Sequence, residues 1–184
     1  SIQKLAEQAA ARYLKKGAVV VLEVPSGKIL AMASLPSYSQ TNVASVLKAQ
    51  NSPLLNRAVS AYSFGSVFKL VAAASALEYG ISPDTAYTCN GAVDVDGQAF
   101  HCFDDEKHGA ENMKQAIANS CNTYFIKLMQ NVPQANFYDM AKMLGFGHSC
   151  EFAPGMVSDA GTLPALSSLR IPRALANFSF GQGE

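Results

Sequence analysis

Charge is scarce in this sequence. Lys, Arg, Asp and Glu make up 15% of 184 residues, and 14 basic residues balance 14 acidic ones. With no basic excess to neutralise a phosphate backbone, nucleic acid is excluded as a natural partner. Cysteine is scarce too: four residues are too few for a disulfide scaffold. No apolar run reaches the roughly 18 residues that a membrane-spanning helix needs. No secretory leader pattern is visible, because Ser1 opens directly into a helical pattern. Internal repeats, low-complexity tracts and linkers are also missing. What the chain does have is apolar residues, at 49%. That is enough for a sizeable core and too much for a disordered chain. The length suits one ordinary domain or a piece of a larger one.

Apolar spacing organises the chain. Ile2, Leu5, Ala6, Ala9, Ala10, Tyr13 and Leu14 fall on one face of a helix over 1–16, with Gly17 placed to stop it. The β-branched run 18–24 and the run 29–34 flank the turn Pro25-Ser26-Gly27-Lys28, which predicts a hairpin with a buried first strand. Residues 66–79 form a helix that is apolar nearly all round and therefore central, ended by Gly80. The stretch 81–111 reads as turns, 112–119 and 123–131 as helices, and Asn136 as the cap of a short helix ending at Gly145. Beyond Gly147 the chain reads as loops and short turns. Helices are plentiful, but only two good strands appear, and two strands alone rarely make a stable sheet.

A serine three residues before a lysine on a helix puts hydroxyl and amine on one face. A buried lysine loses its proton easily and then serves as the base that activates the serine. The pattern occurs at Ser1/Lys4, Ser45/Lys48 and Ser66/Lys69. Ser1 suits a surface helix cap, and Lys48 lies in a polar stretch where it would stay solvated and protonated. Ser66 opens the most apolar helix, where its own amide is among the free N–H groups of the first turn. Lys69 is flanked by Phe68 and Leu70. The plain alternative is a capping serine with a lysine that snorkels to the surface. Ser120-Cys121-Asn122, at a helix junction, presents a hydroxyl and an amide to a cleft, or simply caps the second helix.

Ser66-x-x-Lys69 together with Ser120-x-Asn122 resembles the penicillin-recognising serine enzymes, the penicillin-binding proteins and serine β-lactamases. The flanks Leu55-Asn56-Arg57-Ala58, Phe64-Gly65-Ser66-Val67-Phe68-Lys69, His108-Gly109, Ser120-Cys121-Asn122-Thr123-Tyr124-Phe125 and Phe180-Gly181-Gln182-Gly183 are similar to a class B penicillin-binding protein. The resemblance runs along nearly the whole chain. It implies an α/β fold of the α+β type: a partial transpeptidase, β-lactamase-like domain, mainly its helical lobe plus the N-terminal β-hairpin of its sheet. It implies a serine-type D-Ala–D-Ala transpeptidase of peptidoglycan cross-linking, acting without a cofactor or metal. Ser66 would be the acylated nucleophile and Lys69 its base, Ser120 would relay protons to the leaving group, and Asn122 would hold Lys69 and the substrate amide. The implied partners are the peptidoglycan stem peptide, β-lactams and proteins of cell division or elongation. The implied place is the extracytoplasmic face of the bacterial cytoplasmic membrane.

The family's third motif, Lys-(Thr/Ser)-Gly on a sheet strand, has no match here. The expectation is therefore an incomplete transpeptidase domain over 1–184 without its C-terminal strands: helix 1–16, hairpin 17–34 and a mainly helical lobe 35–184, impaired in catalysis. A non-catalytic binding module of the same fold is the alternative, as is a D,D-carboxypeptidase or β-lactam sensor. Two strands without neighbours would leave an apolar edge for self-association or for a covering segment.

Cys89, His101, Cys102 and His108 cluster in sequence, which raises a metal site, yet their spacing matches no standard zinc pattern. A Cys89–Cys102 disulfide or close pair, and reduced loop cysteines, are the other readings. Cys121 reads as a small buried filler and Cys150 as a core or loop residue. Glu23 with Lys28, and Asp104-Asp105-Glu106, read as solvated charges, and His148 has no evident partner.

Overall fold

Ser1 caps the first helix by accepting the Lys4 N–H, and α1 runs over Ile2–Tyr13. It ends three residues short of the predicted 16, because Gly17 already opens strand β1 (Gly17–Leu22). The turn around Gly27 reverses the chain, and β2 (Ile29–Leu35) pairs antiparallel with β1 in the predicted hairpin. The computed structural model describes residues 1–183. These form two units, one of Ser1–Ala61 with Cys150–Asp159, the other of 62–149 with the chain from 160 onward. Helices and antiparallel ribbons together make a mixed α/β architecture.

The first unit has a small core of Ala10, Ala33 and Leu35, with Leu14 and Val19 packed against it. The predicted buried first strand is not observed: Val20 and Leu22 are exposed, and the buried residues Ala31, Ala33 and Leu35 lie on β2. Gln3 ties α1 to the hairpin, accepting the Met32 N–H and donating to the Met32 carbonyl, each at 2.9 Å. Arg57 is buried and donates to the carbonyls of Asn51 (2.7 Å) and Ser52 (3.0 Å), so it fastens the loop before it. A short ribbon of Glu151–Ala153 with Met156–Val157 completes this unit. Cys150 is exposed.

The second unit holds the main core. A 3-10 turn, Gly65–Phe68, leads into α2 (Lys69–Glu78), so Ser66 sits in the turn rather than in the α-helix. Leu70 and Leu77 are about half exposed, so α2 is not apolar-buried all round. Four strands follow that the turn-rich reading of 81–111 missed. They are β3 (Tyr87–Cys89), β4 (Ala92–Val95) and β5 (Gln98–His101), with β6 (Gly109–Glu111) closing a ribbon on β3. The turn between β4 and β5 is Asp96-Gly97, both at positive φ, the conformation a two-residue hairpin requires. Helix α3 (Met113–Ala118) starts with a capping box in which Asn112 and Gln115 bond each other's backbone N–H at 3.0 Å.

Helix α4 (Asn122–Met129) is the most buried helix, with Tyr124, Phe125, Ile126, Leu128 and Met129 all inside. Each such side chain stabilises the unit by about 1.5–3 kcal/mol of apolar burial. Helix α5 (Gln134–Met143) begins after Pro133, two residues before the predicted cap Asn136. The tail is not all loop: α6 (Pro172–Ser179) has Pro172 in its first turn and buries Leu175, Ala176 and Phe178. Phe68, Phe137 and Phe178 stack together, with ring centroids 4.7–5.9 Å apart, and join the start of α2 to α5 and α6.

Candidate active site

The three Ser-x-x-Lys pairs separate by environment. Ser1 is the cap of α1. Ser45 donates to the Asn42 carbonyl at 2.8 Å, and both it and Lys48 are exposed. Only Ser66 and Lys69 meet: Ser66 is an exposed residue, whereas Lys69 is 2% exposed. The 3-10 turn achieves this division. It sets Ser66 at the outer lip and brings Lys69 around to the inside, one turn on.

Lys69 Nζ has three close oxygens: Ser66 Oγ at 3.1 Å, Ser120 Oγ at 2.9 Å and the Ser120 carbonyl at 2.5 Å. No carboxylate pairs with it among the described residues. Burial lowers its pKa from an ordinary 10.5 to about 8, with Cys102 and Cys121 pulling weakly upward. A neutral amine has two N–H donors and one lone pair. Its donors match the two Ser120 oxygens and its lone pair matches the Ser66 O–H. The three contacts thus fit a base poised to take the proton of Ser66.

Ser120 lies in the tight connection between α3 and α4 with φ 52°, a left-handed conformation uncommon for a side chain other than glycine. That bend turns both its carbonyl and its hydroxyl toward Lys69. Asn122 begins α4, and its amide donates to the His101 carbonyl at 2.8 Å. No hydrogen bond joins Asn122 to Lys69 among the described residues, unlike the expectation. Its side chain instead ties the Ser120–Asn122 turn to β5.

The Phe180–Gly183 segment reaches the same place. Gly181 has φ 75°, and a Cβ there would run into the Gly65 carbonyl and lie 2.8 Å from Phe68 Cβ. Only glycine allows this segment to rest against the turn that carries Ser66.

The neighbouring thiols group differently from their sequence spacing. His101 leaves the cluster and bonds Asp105 at 2.5 Å, while Glu106 faces His108 at 3.3 Å, so two of the acidic residues expected to be merely solvated meet histidines. Cys89 and Cys102 form a close but unbonded pair, 3.7 Å apart. Cys121, fully buried in the core as expected, joins them with its Sγ 3.8 Å from that of Cys102. No spacing signal marks Cys121, because it enters from the α3–α4 junction, a separate part of the fold.

Comparison with known proteins agrees with this geometry. Residues 17–182 match the penicillin binding protein transpeptidase domain family. The chain is 34% identical to the peptidoglycan D,D-transpeptidase PbpA of Mycolicibacterium smegmatis over 185 residues, covering 91% of this chain and 37% of that protein. Among solved structures, the D,D-transpeptidase domain of a peptidoglycan glycosyltransferase from Eggerthella lenta superposes with a TM-score of 0.87 at 30% identity, covering 98% of this chain and 44% of that one. An imipenem acyl-enzyme of penicillin-binding protein A from M. tuberculosis superposes with a TM-score of 0.82 at 28% identity, covering 97% of this chain and 44% of that one. The chain therefore spans less than half the length of these relatives. With the match running along nearly all of its residues, the chain belongs to the penicillin-binding protein transpeptidase domain family.

Proposed function

We propose that this chain carries the acylation centre of a peptidoglycan D,D-transpeptidase that β-lactams also acylate, working on the outer face of a bacterial cytoplasmic membrane. The observation that supports this reading is the buried, unpaired Lys69 shared by the Ser66 and Ser120 hydroxyls. Lys69 accepts the Ser66 proton as Ser66 Oγ bonds to the carbonyl carbon of a D-Ala–D-Ala peptide. The backbone N–H of Ser66, in the 3-10 turn ahead of α2, faces the developing oxyanion. Ser120 then passes its proton to the leaving amine, the C–N bond breaks, and Lys69 returns a proton to Ser120. The amine of a second stem peptide takes the acyl group and frees Ser66. Asn122 positions Ser120 by holding the turn to the His101 carbonyl, and its remaining amide capacity faces the substrate. In a β-lactam the broken C–N bond stays tethered, so the acyl group persists on Ser66.

The test is covalent labelling with a fluorescent penicillin, read by intact mass. One adduct is expected per chain, lost in Ser66→Ala. A label that survives Ser66→Ala overturns the nucleophile, and no adduct at any concentration on the folded protein overturns the acylation centre.

A further inference from the structure

Cys89, Cys102, His108 and Cys121 come from four separate segments, yet their four ligand atoms all lie within 4.8 Å of one another. Cys89 ends β3, Cys102 follows β5, His108 precedes β6, and Cys121 caps α4. All three thiols are buried, at 4% exposure or less. Their separations carry chemical information. A tetrahedral zinc ion with Zn–S near 2.3 Å and Zn–N near 2.05 Å sets its ligand atoms about 3.8 Å apart for two sulfurs and about 3.6 Å for sulfur and nitrogen. Three of the six edges match closely, at 3.7 Å for Cys89–Cys102, 3.8 Å for Cys102–Cys121 and 3.4 Å for Cys89 to His108 Nδ1, and the other three are no longer than 4.8 Å. A disulfide would need two of the sulfurs at about 2.05 Å and would leave the third and the imidazole without a role.

The surroundings point the same way. His108 turns Nδ1 into the cluster and Nε2 toward Glu106 at 3.3 Å, the carboxylate–histidine arrangement that orients a metal-bound imidazole. Glu111 is 2% exposed, and its Oε2 has no hydrogen-bond partner although it lies 3.7 Å from His108 Nδ1. A buried carboxylate oxygen without a partner, beside the imidazole nitrogen that faces the thiols, is costly unless a cation stands there. Cys121 Sγ also accepts the Tyr124 N–H at 3.4 Å, which fixes where the sulfur points.

We propose that Cys89, Cys102, His108 and Cys121 bind one zinc ion tetrahedrally, and that this ion locks the Ser120–Asn122 turn in place beside Lys69. Cys121 lies between Ser120 and Asn122, so a bond from its sulfur anchors that turn to the β3–β6 ribbon. The second half of the proposal rests on the acylation reading above, and the first half does not.

The experiment measures metal and acylation separately on the purified reduced protein. Elemental analysis and native mass spectrometry are expected to give one zinc per chain. Exchange for cobalt(II) is expected to give the intense visible and near-ultraviolet bands of tetrahedral thiolate coordination. Cys150→Ser keeps the metal and Cys89→Ser loses it. Glu106→Gln, which leaves all four ligands, weakens zinc binding about 10–100-fold. Folding of each variant is checked by circular dichroism, and the wild-type spectra serve if Cys89→Ser does not fold. A folded protein that takes up neither zinc nor cobalt overturns the site. Removal of zinc by a chelator is expected to slow penicillin acylation, and zinc alone to restore it. Acylation indifferent to removal overturns the locking role while leaving the site. A zinc-loaded protein that never acylates overturns the acylation reading and not the site.

Discussion

Lys69 is where burial becomes chemistry. A lysine in a protein interior with no carboxylate partner sheds its proton, and here the amine titrates at about 8 instead of 10.5. The second-order rate of acylation by penicillin should therefore rise with pH, with an apparent pKa near 8, and level off above it. Lys69→Arg should flatten that profile and lower the rate by about 100-fold or more, because a guanidinium stays protonated. A rate with no pH dependence between 6 and about 9 would sink the assignment of Lys69 as base. Stability follows the same titration with a definite sign. Between about 8 and 10.5 the unfolded chain holds a proton that the folded chain has released, so stability rises with pH across that window. Below it, the folded chain carries the penalty of a buried ammonium.

At the level of elements, the turn that bears Ser66 is held by what packs on it. The Gly181 segment rests against Gly65 and Phe68, and Phe68 stacks on Phe178 of α6. Gly181→Ala should cost about 2 kcal/mol or more in urea unfolding and slow acylation, because it adds a steric clash to a left-handed φ. Gly145→Ala, with a φ of 91° and open space around it, should cost only the conformational part, about 1 kcal/mol, and leave acylation unchanged. Equal effects from the two would show that contact with the Ser66 turn plays no part. Elements with strong local signals were legible from sequence: the first hairpin, α3 with its capping box, and α4. The strands β4 and β5 were missed although Asp96-Gly97 marked their turn, because short runs with polar residues look like loop. Helix α6 was missed because Pro172 reads as a breaker until it is placed in a first turn, where it lacks only an N–H that has no partner anyway. Of the candidate site, Ser66, Lys69 and Ser120 could be picked out because two spaced motifs carry them. Of the thiol cluster, Cys89, Cys102 and His108 could be grouped from sequence, but Cys121 could not, since it arrives through tertiary folding.

On the scale of the whole molecule, the two units differ in how much they bury. The first unit's core cluster holds three buried apolar residues, Ala10, Ala33 and Leu35, whereas the second gathers twenty into one cluster around α2, α4 and α5. Local opening is easiest where few apolar contacts must be broken. Amide hydrogens of α1 and β1 in this chain should therefore exchange at least about tenfold faster than those of α4, as measured by hydrogen exchange with mass spectrometry. Equal protection in both would mean that the first unit gains support beyond its own core. The Ser66–Lys69–Ser120 constellation lies in the better-buried unit, where its spacings are least able to drift.

The left-handed backbone at Ser120 sets the interests of folding and of chemistry against each other at a single position. A glycine there would relax the main chain and ease the bend between α3 and α4. It would also remove the hydroxyl that touches Lys69 and that, in the proposed acylation, passes a proton to the leaving amine. The comfortable residue at position 120 is thus the inert one, and a lineage selected for robustness alone would drift toward it. On the proposed mechanism, Ser120 keeps a strained main chain for the sake of its hydroxyl.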